Sequence, residues 1–175
     1  MSDSKSIALT IQAPLVNNLG ARIVIGKNQL YLDSSKINLY WMVVVDRTDL
    51  SVKANFTFST NDKVPKELNP YLNNSQYILI LTTQLLKSAN LPVGDFYNYL
   101  IKEGADRELK RCEQIFAALN CGNWAYWAYS YVTIMGDDTT SGFELFGFTD
   151  STIMTLQLQP VNISGKTYYT PVDQL

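Results

Sequence analysis

The sequence predicts a mixed α/β domain built from antiparallel hairpins, a parallel strand pair with a helical crossover, and helices packed outside the sheet. Three observations lead there. Several segments alternate apolar and polar residues with period two, the mark of a half-buried strand. INLYWMVVVD at 37–46 and QYILILTT at 76–83 are apolar without alternation, so they read as strands covered on both faces. The next strand signal, YSYVTIM at 129–135, follows only after a long interval with helical spacing. At 175 residues the chain fits a single domain, 1–175, with room for a sizeable core.

Taken in order, SIALTIQA at 6–13 alternates as a strand and is closed by Pro14 and NNLG. ARIVI at 21–25 and QLYLD at 29–33 flank Gly26-Lys27-Asn28 and read as a hairpin turned by the glycine. After the apolar strand at 37–46, Asp46-Arg47-Thr48-Asp49 makes a turn. SVKANFTFST then alternates, placing Val52, Ala54, Phe56 and Phe58 on one face. Pro65 suits the first position of a short helix over Lys66–Leu72, with Asn61 or Asp62 as cap. Phe96, Leu100 and Ile101 define a helix over 95–103 closed by Gly104. Asp106 is placed to cap a second helix, in which Leu109, Cys112, Ile115, Phe116 and Leu119 keep the 3–4 spacing. A strand, a helical crossover and a second strand imply a parallel pair with a right-handed connection. GFELFGF at 142–148, TIMTLQLQPV at 152–161 and TYYTPV at 167–172 read as extended, the last as an edge strand.

Composition narrows the function. Only 17% of residues are charged, and Asn, Ser, Thr and Gln fill most connections. The net charge of −2 and the lack of a basic stripe argue against nucleic acid as a partner. No apolar run is long enough to span a membrane. The start, MSDSKS, carries no apolar signal region. That leaves a cytoplasmic protein, one exported by a non-classical route, or a chain given without its signal. The sequons at Asn55, Asn73 and Asn162 read as chance in so Asn-, Ser- and Thr-rich a chain. Cys112 and Cys121 read as free thiols, Cys112 on the apolar face of its helix.

A catalytic apparatus is not legible. The chain has no histidine, which removes Ser-His-Asp and Cys-His arrangements and His-bearing zinc sites. There is no GxGxxG and no GxxxxGK[ST], and no cofactor is indicated. Asp46 with Asp49, and Asp137 with Asp138, are paired acids, but acids within one turn are ordinarily bonded to their own backbone. Asp137 and Asp138 are the weak metal candidates. The aromatic run Trp124, Tyr126, Trp127, Tyr129, Tyr131 is the most unusual feature. It reads either as core and edge packing, or as a stacking platform in which Trp124 and Tyr126 stand in the loop before the strand.

The order of segments resembles a known family. An apolar strand ending in Val-Val-Val-Asp, an alternating strand closing near Phe58, a short helix and QYILILTT are followed by a helix ending at Leu100–Ala105, then YSYVTIMG and Gly142-Phe143-Glu144. Over about residues 20–147 this resembles the interleukin-like epithelial–mesenchymal transition inducer and pancreatic-derived factor (ILEI/PANDER-like) domain. The resemblance implies a two-sheet β-β-α fold and a non-enzymatic recognition role, with carbohydrate, a glycan or a glycosylated surface as ligand. The stacking-platform reading makes Trp124, Tyr126 and Trp127 ligand-binding candidates. Tyr126-Trp127 stand where the family places an Arg-Asp pair, a departure from its pattern. The loop after Thr83, which the resemblance puts on the other side of the family's sugar site, adds Gln84 and Lys87. Residues 1–19 and 149–175 lie outside the resemblance and read as extended β arms. Such arms suit an alternative role as an assembly subunit of a multi-protein particle, fibre or toxin complex, or as a homo-oligomer.

Overall fold

Alternation within each strand decides what it covers, and in this chain it sorts the residues into three layers. The structure, a computed structural model, describes residues 5–119, 126–137 and 139–173. In chain order the elements are β1 (Ile7–Ala13), β2 (Arg22–Ile25), β3 (Asn28–Tyr31), β4 (Leu39–Asp46), β5 (Val52–Phe58), β6 (Tyr77–Gln84) and the two-residue β7 (Leu86–Lys87). They continue with α1 (Gly94–Lys102), α2 (Glu108–Leu119), β8 (Tyr126–Ile134), β9 (Phe143–Gly147), β10 (Thr152–Ile163) and β11 (Lys166–Asp173). The first sheet runs β11-β10-β1-β2-β3; the second runs β5-β4-β6-β8, with β9 and β7 also paired to β8.

The second sheet is the middle layer. On one face Trp41, Val43, Val45, Ile78, Ile80 and Val132 meet Leu9, Ile11, Ile23, Met154, Leu156 and Leu158 of the first sheet. On the other face Tyr40, Met42, Leu79, Leu81, Tyr129 and Tyr131 lie under Phe96 and Leu100 of α1 and Leu109 and Cys112 of α2. Double coverage is why β4 and β6 show no alternation in sequence. The two-sheet arrangement with helices on the outside is as expected, though strands predominate and the pairing is antiparallel throughout.

The expected parallel pair is therefore corrected: β6 and β8 are antiparallel, with Ile78 opposite Ile134 and Thr82 opposite Ser130. The crossover contains the two helices expected, α1 and α2. At the end of α1, the carboxylate of Glu103 accepts the N–H of Gly136, just past the end of β8. From there α2 runs back until Phe116 meets Trp127 at the start of β8. An out-and-back pair returns the chain to the end of the sheet it left, so the next strand must run the other way.

Local details also differ from expectation. The cap of α2 is Glu144 on β9, whose carboxylate accepts the N–H groups of Arg107 (2.9 Å) and Leu109 (2.8 Å); among the described residues Asp106 makes no such bond. The glutamate thus supplies acceptors for N–H donors that a helix start leaves unmet, from a strand rather than from the preceding residue. The short helix after Pro65 is one 3₁₀ turn, Lys66–Leu68, without a side-chain cap. Asn61 instead donates to the carbonyl of Leu91. A bulge leaves Lys53 without a partner residue on β4, so Val52 opposes Val45 while Ala54 opposes Val44, and Val52 leaves the face of Ala54, Phe56 and Phe58. The terminal segments are woven together: β1 lies between β10 and β2, and β11 forms one edge.

Candidate functional site

The residues expected to form a ligand platform sit at the start of β8, and most of them face inward. Trp127 is 1% exposed. Its ring is enclosed by Phe116 and Phe146, each with ring centroid 5.5 Å away, and its indole N–H donates to the carbonyl of Lys87. Gln84 is fully buried. Its Oε1 accepts the N–H of Ala21 at 2.6 Å and its Nε2 donates to the carbonyl of Leu19 at 3.0 Å. That side chain anchors the segment before β2 and has no freedom to read a ligand. Trp127 and Gln84 are accordingly corrected from site to scaffold. Tyr126 is the first residue of β8 rather than part of a loop; it is 38% exposed and opposes Lys87, which is partly exposed. Trp124 lies outside the described residues, as do Cys121 and Asp138.

The paired acids hold their own turns. Asp137 Oδ1 accepts the N–H and hydroxyl of Thr139, and Oδ2 accepts the hydroxyl of Thr140. The Thr139 hydroxyl above all holds the Asp137 carboxyl below its ordinary value. Asp49 is bonded in the same way to Ser51, and Asp46 to Thr48 and Gln76. Among the described residues no group of three His, Cys, Asp or Glu is placed to hold a metal ion. Cys112 is buried, and that burial pushes its thiol well above the ordinary value, which leaves it unreactive.

The opposite end of β8 is different. There the two sheets part and leave a cavity of about 540 Å³ between the turn after β8, the loop before β6 and the β10–β11 hairpin. Its apolar lining comes from Ile134, Phe143, Ile163 and Pro171, together with Val132, which is itself fully buried. Its walls carry the hydroxyls of Ser75, Thr140, Ser141 and Thr170, with Asp137 and Arg47. A second depression of about 490 Å³ shares Ser141 and Phe143 and continues between β9 and β10.

Arg47 follows the last residue of β4 and is 6% exposed. Its Nε donates to the carbonyl of Tyr169 (2.9 Å), Nη1 to the carbonyl of Ser75 (2.7 Å) and Nη2 to the hydroxyl of Thr170 (2.9 Å), and the ring of Tyr168 lies 5.4 Å away. Burial lowers the guanidinium from its ordinary value, and the field of Asp137 works against that. Gly136 shapes the opposite wall. Its φ is +68°, and a Cβ there would stand 2.6 Å from the backbone of Asn73.

Sequence reasoning placed Arg47 in a turn and passed over it, and weighed Asp137 only as one of a pair of acids and a weak metal candidate, not as part of a cleft. The available signal was a lone arginine directly after the most apolar strand, a position that the fold buries. Compared with known proteins, the chain matches no family model and no curated relative. Among the described residues no helix is long and apolar enough to cross a membrane.

Proposed function

We propose that the protein is a non-catalytic recognition module of the ILEI/PANDER-like kind that binds carbohydrate, and that the ligand lies in the cleft at the Ile134 end of β8. The carrying observation is the make-up of that cleft: an apolar lining beside hydroxyls, one acid and one arginine. A sugar ring offers the complement, with an apolar face of C–H groups and a rim of hydroxyls that both donate and accept. Concave sites with an apolar base and a few convergent polar groups are the usual ligand sites of proteins. The continuing depression along β9 and β10 suits a chain of several rings better than a single one.

The test is an arrayed panel of glycans, followed by titration of the best binder. Thr140→Val removes an exposed hydroxyl that, among the described residues, is bonded to Asp137 of its own turn, at a cost in stability of at most about 1 kcal/mol. The variant is expected to fold normally and to bind at least several-fold more weakly. Equal binding by Thr140→Val and by the parent would remove the ligand from this cleft.

A second reading, assembly with other copies or partners, is favoured by the outer face of the first sheet. Ile153, Gln12, Arg22 and Tyr31 form one row across it, and Thr155, Thr10, Val24 and Gln29 the next. Arg22 is the single charge in these two rows, and Ile153 is 61% exposed. The β11 edge is poorly suited to strand addition, because it carries Pro171 and Lys166. Light scattering on the chromatographed chain separates the two readings: a monomer at every concentration sinks self-assembly.

A further inference from the structure

Arginine has five N–H donors, and the described contacts of Arg47 use one each on Nε, Nη1 and Nη2. One N–H on Nη1 and one on Nη2 therefore remain without a protein acceptor among the described residues. The charge is also unpaired at contact range: the ion pairs of the described residues join Lys53 to Asp46, and Arg107 and Arg111 to Glu108. A guanidinium this buried is costly unless its charge and its donors are met. Because Arg47 lines the 540 Å³ cavity, the missing acceptor has a place to come from.

We infer that the cleft reads a carboxylate on a sugar ring, so that the ligand class is an acidic glycan containing uronate or sialate residues, with the two uncommitted N–H groups of Arg47 forming a fork on the carboxylate. The inference rests on the carbohydrate reading of the same cleft. Two parallel N–H···O bonds from a planar guanidinium match the two oxygens of a carboxylate in spacing and direction. Charge favours a single negative charge over a dianion. Asp137 stands in the same cavity with its oxygens turned to Thr139 and Thr140, so a phosphate would bring two charges against it where a carboxylate brings one. The hydroxyls of Thr140, Ser141 and Thr170 are left to meet the hydroxyls of the ring.

The experiment uses the full chain and matched probes: oligogalacturonate against the neutral galactose oligomer, N-acetylneuraminate, and galactose 6-phosphate. Affinity is read by calorimetry and the arginine side-chain N–H signals by NMR. The expected result is at least tenfold tighter binding of an acidic sugar than of its neutral parent, a shift confined to the Arg47 guanidinium among the arginine side chains, and loss of the preference at high salt. Arg47→Lys, which keeps the charge and loses the fork, is expected to reduce the preference to below threefold. Should that variant fail to fold, the guanidinium shift in the unaltered chain decides the matter. Equal binding of acidic and neutral sugars, both weakened by Thr140→Val, overturns the role of Arg47 and leaves the carbohydrate reading standing. Tighter binding of the sugar phosphate overturns the choice of carboxylate. Binding of no probe overturns both the acidic-ligand inference and the carbohydrate reading on which it rests.

Discussion

The two ends of β8 are built from opposite materials. Its first residues, with α2 and β9, form an aromatic knot: Trp127 between Phe116 and Phe146, and Tyr129 beside it with its hydroxyl on the buried Glu144 carboxylate. Its last residues lead into a turn held by backbone geometry and short hydroxylated side chains around a cavity. The aromatic end looks like a recognition surface in sequence and is packed solid in the fold. The cavity end reads as two turns and carries the buried Arg47, whose charge has no ion-pair partner among the described residues. Large rings are the most valuable residues to bury, so an aromatic cluster beside a helix is taken up by the core before it is left for a ligand. A cavity persists where side chains are too short to fill the space between elements held apart by other contacts.

The comparison is broken most directly at Trp127. If this end is scaffold, Trp127→Ala removes a ring enclosed on several sides and costs about 3–5 kcal/mol. Chemical denaturation followed by circular dichroism reads that loss directly. A loss below about 1 kcal/mol would mean that the ring is not a core element, and the stacking platform would return as the better account of that end.

At the cavity end the corresponding weak point is backbone. Gly136→Ala places a Cβ at a left-handed residue against the backbone of Asn73, and strain of that kind costs about 1–3 kcal/mol. The expected pattern is a moderate drop in stability with a larger drop in ligand affinity, since the turn bearing Asp137, Thr140 and Ser141 must shift. Amide exchange checks where the effect falls: faster exchange after Ile134, and unchanged protection around Tyr129. An effect spread evenly along β8 would argue that the two ends are not independent.

How much of this was legible in the sequence depends on what each residue's role requires. β4 and β6 were plain, because coverage on both faces demands the unbroken apolar runs that Val43–Val45 and Ile78–Leu81 provide. The β2–β3 hairpin was plain because Gly26 with positive φ marks its turn. The direction of β8 was misread although both helices were found, because an even number of helices returns the chain to its starting end. Glu144 was invisible as a cap, since it lies 36 residues from the Glu108 that opens α2 and only the fold brings them together. Arg47 was hard to read for a related reason: its partners, Ser75, Tyr169 and Thr170, come from segments far along the chain, and its place directly after the most apolar strand is the one local sign that sets it apart from an exposed turn residue.

The smallest expected effect is the sharpest test of the contrast. Tyr126 is the one described aromatic at the start of β8 with substantial exposure, and with Lys87 it is what remains of the expected platform. Its position at the end of a strand leaves little to lose, so Tyr126→Ala is expected to change stability by no more than about 0.5 kcal/mol. If ligand is held at the far end of the strand, the variant also binds glycan as the parent does. A several-fold loss of binding without loss of stability would show that rings at this end touch the ligand after all. The aromatic end would then be scaffold beneath and contact surface above, and the cavity at Arg47 would have to share the ligand with it or give it up.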